Sequence, residues 1–117
     1  MHDESMLPTL RPGDRLLVDP AAFRHRPPAP GEIVVLRDPE VPGRLLIKRV
    51  ERVDPGPAPA GSVYVVGDEP ARSRDSRAFG PVPARSLVGR AYRCYAPAGR
   101  RGDLGRAPPD RQAKTDV

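Results

Sequence analysis

"RLLIKRVERVD", residues 44–54, is the longest stretch of this chain that reads as one element. Leu45, Leu46, Ile47, Val50 and Val53 are branched aliphatics, and neither glycine nor proline interrupts them, so the stretch is read as a β-strand. Shorter runs of the same character flank it. "EIVVLRD" (32–38) precedes it across the turn "PEVPG" (39–43), and "PGPAPAG" (55–61) is a flexible hairpin connection into "SVYVVGD" (62–68). Further out, "DRLLVDP" (14–20) is a short strand closed by Asp19-Pro20, followed by a proline-rich loop over 21–31 with no room for a stable helix. "SLVGRAYRCYA" (86–96) is a closing strand, with Gly89 marking a bulge or a close approach. Between the last two strands, "EPARSRDSRAFGPVP" is too charged for a core strand and too punctuated for a helix. The fold class is mostly β with short loops.

Composition agrees. The chain has 117 residues, enough for one modest core, and 17 prolines and 11 glycines work against long helices. With three tyrosines, two phenylalanines and no tryptophan, aliphatic side chains must supply that core. From Pro97 onward the chain turns polar and loses periodicity, so 97–117 is expected to be a disordered polar tail. Its "RGD" (101–103) is read as chance. A formal charge of +5 raises the question of a phosphate-bearing partner. The arginines are interspersed with carboxylates and lack an aromatic platform, so a solvated surface outweighs a nucleic-acid surface. The single cysteine, Cys94, cannot close an internal disulfide and is read as a strand residue. His2 and His25 lack ligand spacing, so no metal site is expected. No apolar run approaches the ~20 residues that cross a bilayer, and no signal peptide is visible, so the expected location is the cytoplasm.

Two residues raise a question of chemistry. Lys48 shares its strand face with Leu46 and Val50, because residues i and i±2 point the same way. Either its stem lies on apolar surface while the ammonium snorkels to water, or the amine is desolvated and able to act as a base. Bringing a lysine from about 10.4 to about 7 requires roughly 4–5 kcal/mol against its charged form, within the reach of burial. A neutral amine would need a proton to accept, and Ser5 in "ESMLPTLRPGD" (4–14) is a candidate donor. Met6 and Leu7 can anchor that segment in the core, and Pro8 stiffens it.

"SMLPTLRPGD", then "LLIKRV", then "GDEPARSRDSRAFGPVPARSLVGRA" resemble, in that order, the three boxes of type I signal peptidases. These are serine–lysine endopeptidases related to the self-cleaving domains of repressors such as LexA. The resemblance covers roughly residues 3–95 and implies a signal-peptidase-like catalytic domain over 1–96. Its phrasing is most similar to a small soluble branch, the nickel-type superoxide dismutase maturation proteases. That branch implies a precursor protein as partner, the nickel superoxide dismutase precursor, from which an N-terminal extension is removed. The alternative is the catalytic domain of a type I signal peptidase acting on secretory signal peptides, membrane-associated through an anchor missing from this chain.

The resemblance also implies roles. Ser5 matches the nucleophile and Lys48 the general base. Ser73 matches a serine that orients the lysine amine, Asp75 and Arg77 a pair that braces the active-site loop, and Gly67 and Asp68 the turn before it. Met6, Leu7 and Pro8 are expected to help position substrate. No cofactor is required. Two departures stand out. Asp3 occupies a position where relatives carry glycine or serine, and Glu69 replaces the asparagine that follows "GD". Relatives also have a strand ahead of the serine, whereas only four residues precede Ser5 here. Either a strand is missing through a misassigned start, or substrate is held with less support.

Overall fold

The computed structural model describes residues 5–24, 26–54, 61–97, 99, 102–104 and 113–116. The expected hairpin connection therefore lies outside the described residues except for Gly61, and so do Asp3, His2 and His25.

Each aliphatic run becomes a strand: β1 (Arg15–Asp19), β2 (Ile33–Arg37), β3 (Leu45–Asp54), β4 (Ser62–Val66) and β6 (Leu87–Ala96). Two-residue β5 (Val82–Pro83) and β7 (Gly102–Asp103) and four-residue β8 (Ala113–Asp116) complete one antiparallel sheet among the described residues. Its order is β5-β4-β3-β2-β6-β1-β8, with β7 also on β6. The expected closing strand, β6, is therefore central. β2 pairs with its first half and β7 with Arg93 and Cys94 beyond the end of β2, while β1 runs along its other edge.

β2 explains why two cores form. Its Ile33, Val34, Val35 and Leu36 are all buried, so the strand is covered on both faces. Ile33 and Val35 join Met6, Leu10, Leu16, Val18, Ile47, Ala91 and Cys94 in one cluster. Val34 and Leu36 join Leu46, Val50, Val63, Val65 and Val82 in the other. The core is aliphatic, as the scarcity of aromatics requires, and Cys94 sits within it as a buried strand residue.

One expectation is corrected. The polar stretch after Asp68 is not structureless: it holds a 3-10 turn at Pro70–Arg72, a one-turn helix α1 (Ser76–Phe79), and β5 with Val82 buried. Asp75 caps the helix by accepting from the Arg77 amide, and the buried Ser76 hydroxyl accepts from the Val65 amide, which docks the turn on β4. Hydrophobic periodicity does not register so short an element, because a cap and one hydroxyl make it. Within 97–117, the described residues include two short paired segments, β7 against β6 and β8 against β1.

Candidate active site

Lys48 lies opposite Val34 in the β2–β3 register and alternates with Leu46 and Val50, so its stem enters the second aliphatic cluster. It is 2% exposed, which excludes the snorkelling alternative. The same strand register fixes what lies beside it. Arg49 pairs with Val66, so the chain leaves β4 at Gly67, next to Lys48.

Ser5 is equally buried, at 1% exposure. Met6 and Leu10 sink into the first cluster, and the Leu10 amide donates to the Met6 carbonyl at 2.9 Å, so the segment is a tight turn pinned at both ends. Of the three residues expected to position substrate, Met6 is in the core, Leu7 is half-buried and Pro8 is exposed, the Leu7–Pro8 peptide being cis. The Lys48 amine donates to Ser5 Oγ at 2.9 Å and to Ser73 Oγ at 3.2 Å. Residues 43 and 25 positions apart in the chain thus converge on one nitrogen.

Ser73 has a single proton and gives it to Asp75 Oδ2 at 2.5 Å, which leaves its lone pairs for the amine. Asp75, 1% exposed, also accepts from the Gly67 amide at 2.7 Å, from the Arg77 amide at 3.0 Å, and from both Nε and Nη2 of Arg77. Burial alone would raise its pKa. The Arg77 guanidinium, the Ser73 hydroxyl and these amides outweigh burial and hold the carboxyl well below the usual carboxylate range. It is therefore an anion at any pH near neutrality and keeps the Ser73 proton turned away from Lys48.

Gly67 is required by space. A Cβ there would lie 2.3 Å from Ser73 Oγ and 2.6 Å from the Ser5 carbonyl oxygen. Glu69, the departure after "GD", contributes through its backbone: its amide donates to the Ser5 carbonyl at 2.7 Å, while its side chain caps the Pro70–Arg72 turn. Asp68 receives Thr9 Oγ1 at 2.6 Å and a two-pronged contact from Arg49, Nε and Nη2 each at 2.8 Å.

Ser5, Lys48, Ser73, Asp75, Arg77, Gly67 and Asp68 are thus brought together. Thr9, Arg49 and the Glu69 amide were missed. Arg49 follows Lys48 directly in "KR" and Thr9 lies within "SMLPTL", but nothing local tells that either meets Asp68. Chemically, the arrangement sets an amine against a hydroxyl in a water-poor position and fixes the amine from a second side.

A family description, "Signal peptidase, peptidase S26", matches residues 1–55 and 51–96. The chain is 40% identical over 125 aligned positions to the mitochondrial ATP-independent inner membrane protease subunit 1b of Arabidopsis thaliana, covering 92% of this chain and 74% of that protein. It is 32% identical over 142 positions to the probable signal peptidase I-1 of Synechocystis sp., covering 87% and 72%. Against signal peptidase I of Leptolyngbya laminosa the identity is 30% over 144 positions, covering 90% and 71%. None of these three names mentions superoxide dismutase, so the narrower resemblance gains no support from them. The expected cytoplasmic location gains none either, and no helix among the described residues is long and apolar enough to cross a membrane. Because the match runs through every segment that meets at the Lys48 amine, the chain belongs to the signal peptidase family, peptidase S26, and is a serine peptidase.

Proposed function

We propose that the chain is a signal-peptidase-type endopeptidase that removes N-terminal targeting extensions from precursor proteins, with Ser5 as nucleophile and Lys48 as general base. The observation that carries the reading is the 2.9 Å contact between two buried groups, Lys48 Nζ and Ser5 Oγ. Taking an ammonium group out of water disfavours its charged form, and a neutral amine accepts the serine proton across that same contact. Ser5 Oγ then attacks the scissile carbonyl, and the proton held on Lys48 passes to the leaving amine. Water activated by Lys48 hydrolyses the resulting acyl-enzyme. Ser73, oriented by Asp75, holds the amine towards Ser5. The Ser5 amide is the expected oxyanion donor, and the half-buried Leu7 and exposed Pro8 border the substrate.

The names of the Synechocystis and Leptolyngbya relatives favour secretory signal peptides as the substrate class, with action at a membrane surface. A nickel superoxide dismutase precursor is the narrower alternative. The test incubates the purified protein with a secretory precursor and, in parallel, with that dismutase precursor, and maps new N-termini by mass spectrometry. Cleavage of the secretory precursor is expected, and Ser5→Ala or Lys48→Ala should lower the rate by about 10⁴-fold or more with the circular dichroism spectrum retained. Full activity in either variant would end the dyad reading, and cleavage of the dismutase precursor alone would restore the narrower one.

A further inference from the structure

The reacting groups arrive on three separate segments: the turn at Ser5–Leu10, strand β3, and the loop leaving β4. All three meet a second time, away from the Lys48 amine, at the Asp68 carboxylate. The loop supplies Asp68 itself. β3 supplies Arg49, the immediate neighbour of Lys48, whose Nε and Nη2 each lie 2.8 Å from one Asp68 oxygen. The turn supplies Thr9, whose hydroxyl donates to Asp68 Oδ2 at 2.6 Å, shorter than the ~2.7–2.8 Å usual for hydroxyl donors and in the range of bonds to an anion. We infer that Thr9 is a positioning residue for the peptidase reaction, locking the Ser5 turn to the strand that carries Lys48 through Asp68 and Arg49. The inference rests on the Ser5–Lys48 reading above.

The geometry gives this lock its leverage. Arg49 is also tied by Nη1 to the Gly31 carbonyl at 2.8 Å, so the guanidinium cannot follow a moving turn. Asp68 and Arg49 side chains retain 17% and 31% exposure, so the cluster is partly withdrawn from solvent screening. The Ser5 carbonyl is fixed by the Glu69 amide, one residue after Asp68, so Thr9 and Ser5 are both tied to the same three-residue loop. Without the Thr9 bond the turn keeps its Met6 and Leu10 anchors and the Ser5–Glu69 bond but loses its tie to Asp68, so Ser5 can shift against Lys48. A displacement on the order of 1 Å at a reacting pair costs about 10²-fold in rate.

Thr9→Val removes the donor and keeps the branched shape, whereas Thr9→Ser keeps the donor. Two readouts are taken on wild type and both variants: kcat and KM for cleavage of a secretory precursor peptide, and hydrogen exchange at the Glu69 and Leu10 amides. Thr9→Val should lower kcat about tenfold or more with KM within about twofold, and speed exchange at both amides. Thr9→Ser should restore both. Unchanged kcat in Thr9→Val, or a Thr9→Ser protein that behaves like Thr9→Val, would overturn the assignment. If wild type cleaves nothing, the peptidase reading on Ser5 and Lys48 fails. Exchange then still decides the lock, since unaltered Glu69 and Leu10 amides in Thr9→Val would sink it.

Discussion

At the scale of single residues, Ser73 separates orientation from chemistry. Its hydroxyl accepts from Lys48 and gives its own single proton to Asp75, so that proton is not the one that moves. Ser73→Ala leaves Asp75 bound to Gly67 and Arg77, so the loop keeps its shape while the amine loses its contact with Ser73 Oγ. The expected result is a fall in kcat of roughly ten- to a hundredfold with KM little changed, measured on a precursor peptide. A rate equal to wild type would remove Ser73 from the site. Legibility differed sharply among these residues. Lys48 announced itself, because a charge between Leu46 and Val50 on one strand face contradicts the pattern around it. Ser5 needed the lysine to make sense, and Ser73, Asp75 and Arg77 were readable only through resemblance, since in isolation "SRDSR" is a solvated charged loop. Thr9 and the Glu69 amide were not readable at all. Their partners lie 59 and 64 positions away, and no local pattern encodes an approach of that kind.

At the scale of elements, the five longer strands were legible to within a residue or two, because their burial is decided by aliphatic runs. α1 and β5 were not, because a cap, a single hydroxyl and pairing with a distant edge decide them. Gly89 on β6 was expected to mark a bulge or a close approach, and it serves the second while lying at an irregularity. The β2–β6 register slips between Val35 and Leu36, beside the Gly89 pairing. A Cβ at position 89 would stand 2.5 Å from the Asp19 carbonyl oxygen and 2.9 Å from Val18 Cγ1. The nearest obstacle is backbone, which cannot rotate aside, so Gly89→Ala must push β1 off the central strand. A loss of about 1–3 kcal/mol is expected, the usual cost of overpacking, seen as a lower urea midpoint. A midpoint equal to wild type would show that β1 and β6 do not approach so closely.

At the scale of the whole molecule, several arginines are met by carboxylates within the fold. Arg26 and Arg90 pair with Glu32, Arg44 with Asp38, Arg49 with Asp68, and Arg77 with Asp75. The pairing sets how the fold responds to acid. For Glu32, Asp38, Asp68 and Asp75, burial alone would raise the pKa, but hydrogen bonds and guanidinium neighbours prevail and hold each below its ordinary value. A carboxyl whose folded pKa lies below its unfolded value, about 3.9 for Asp and 4.3 for Glu, contributes stability that is fully present above that unfolded value. That contribution is lost as pH falls through the folded value, when the native state must also take up the proton. Protonation simultaneously adds to a net charge that already stands at +5, so self-repulsion acts in the same direction. The urea midpoint should therefore drop between about pH 5 and about pH 3, and added salt should recover the repulsive part of the loss. Asp75→Asn should show a shallower drop from a lower starting midpoint, because one of these paired carboxylates no longer titrates. A midpoint that held steady or rose on acidification would mean that these carboxylates are not paired in the folded protein, and the brace on Ser73 would fail with them.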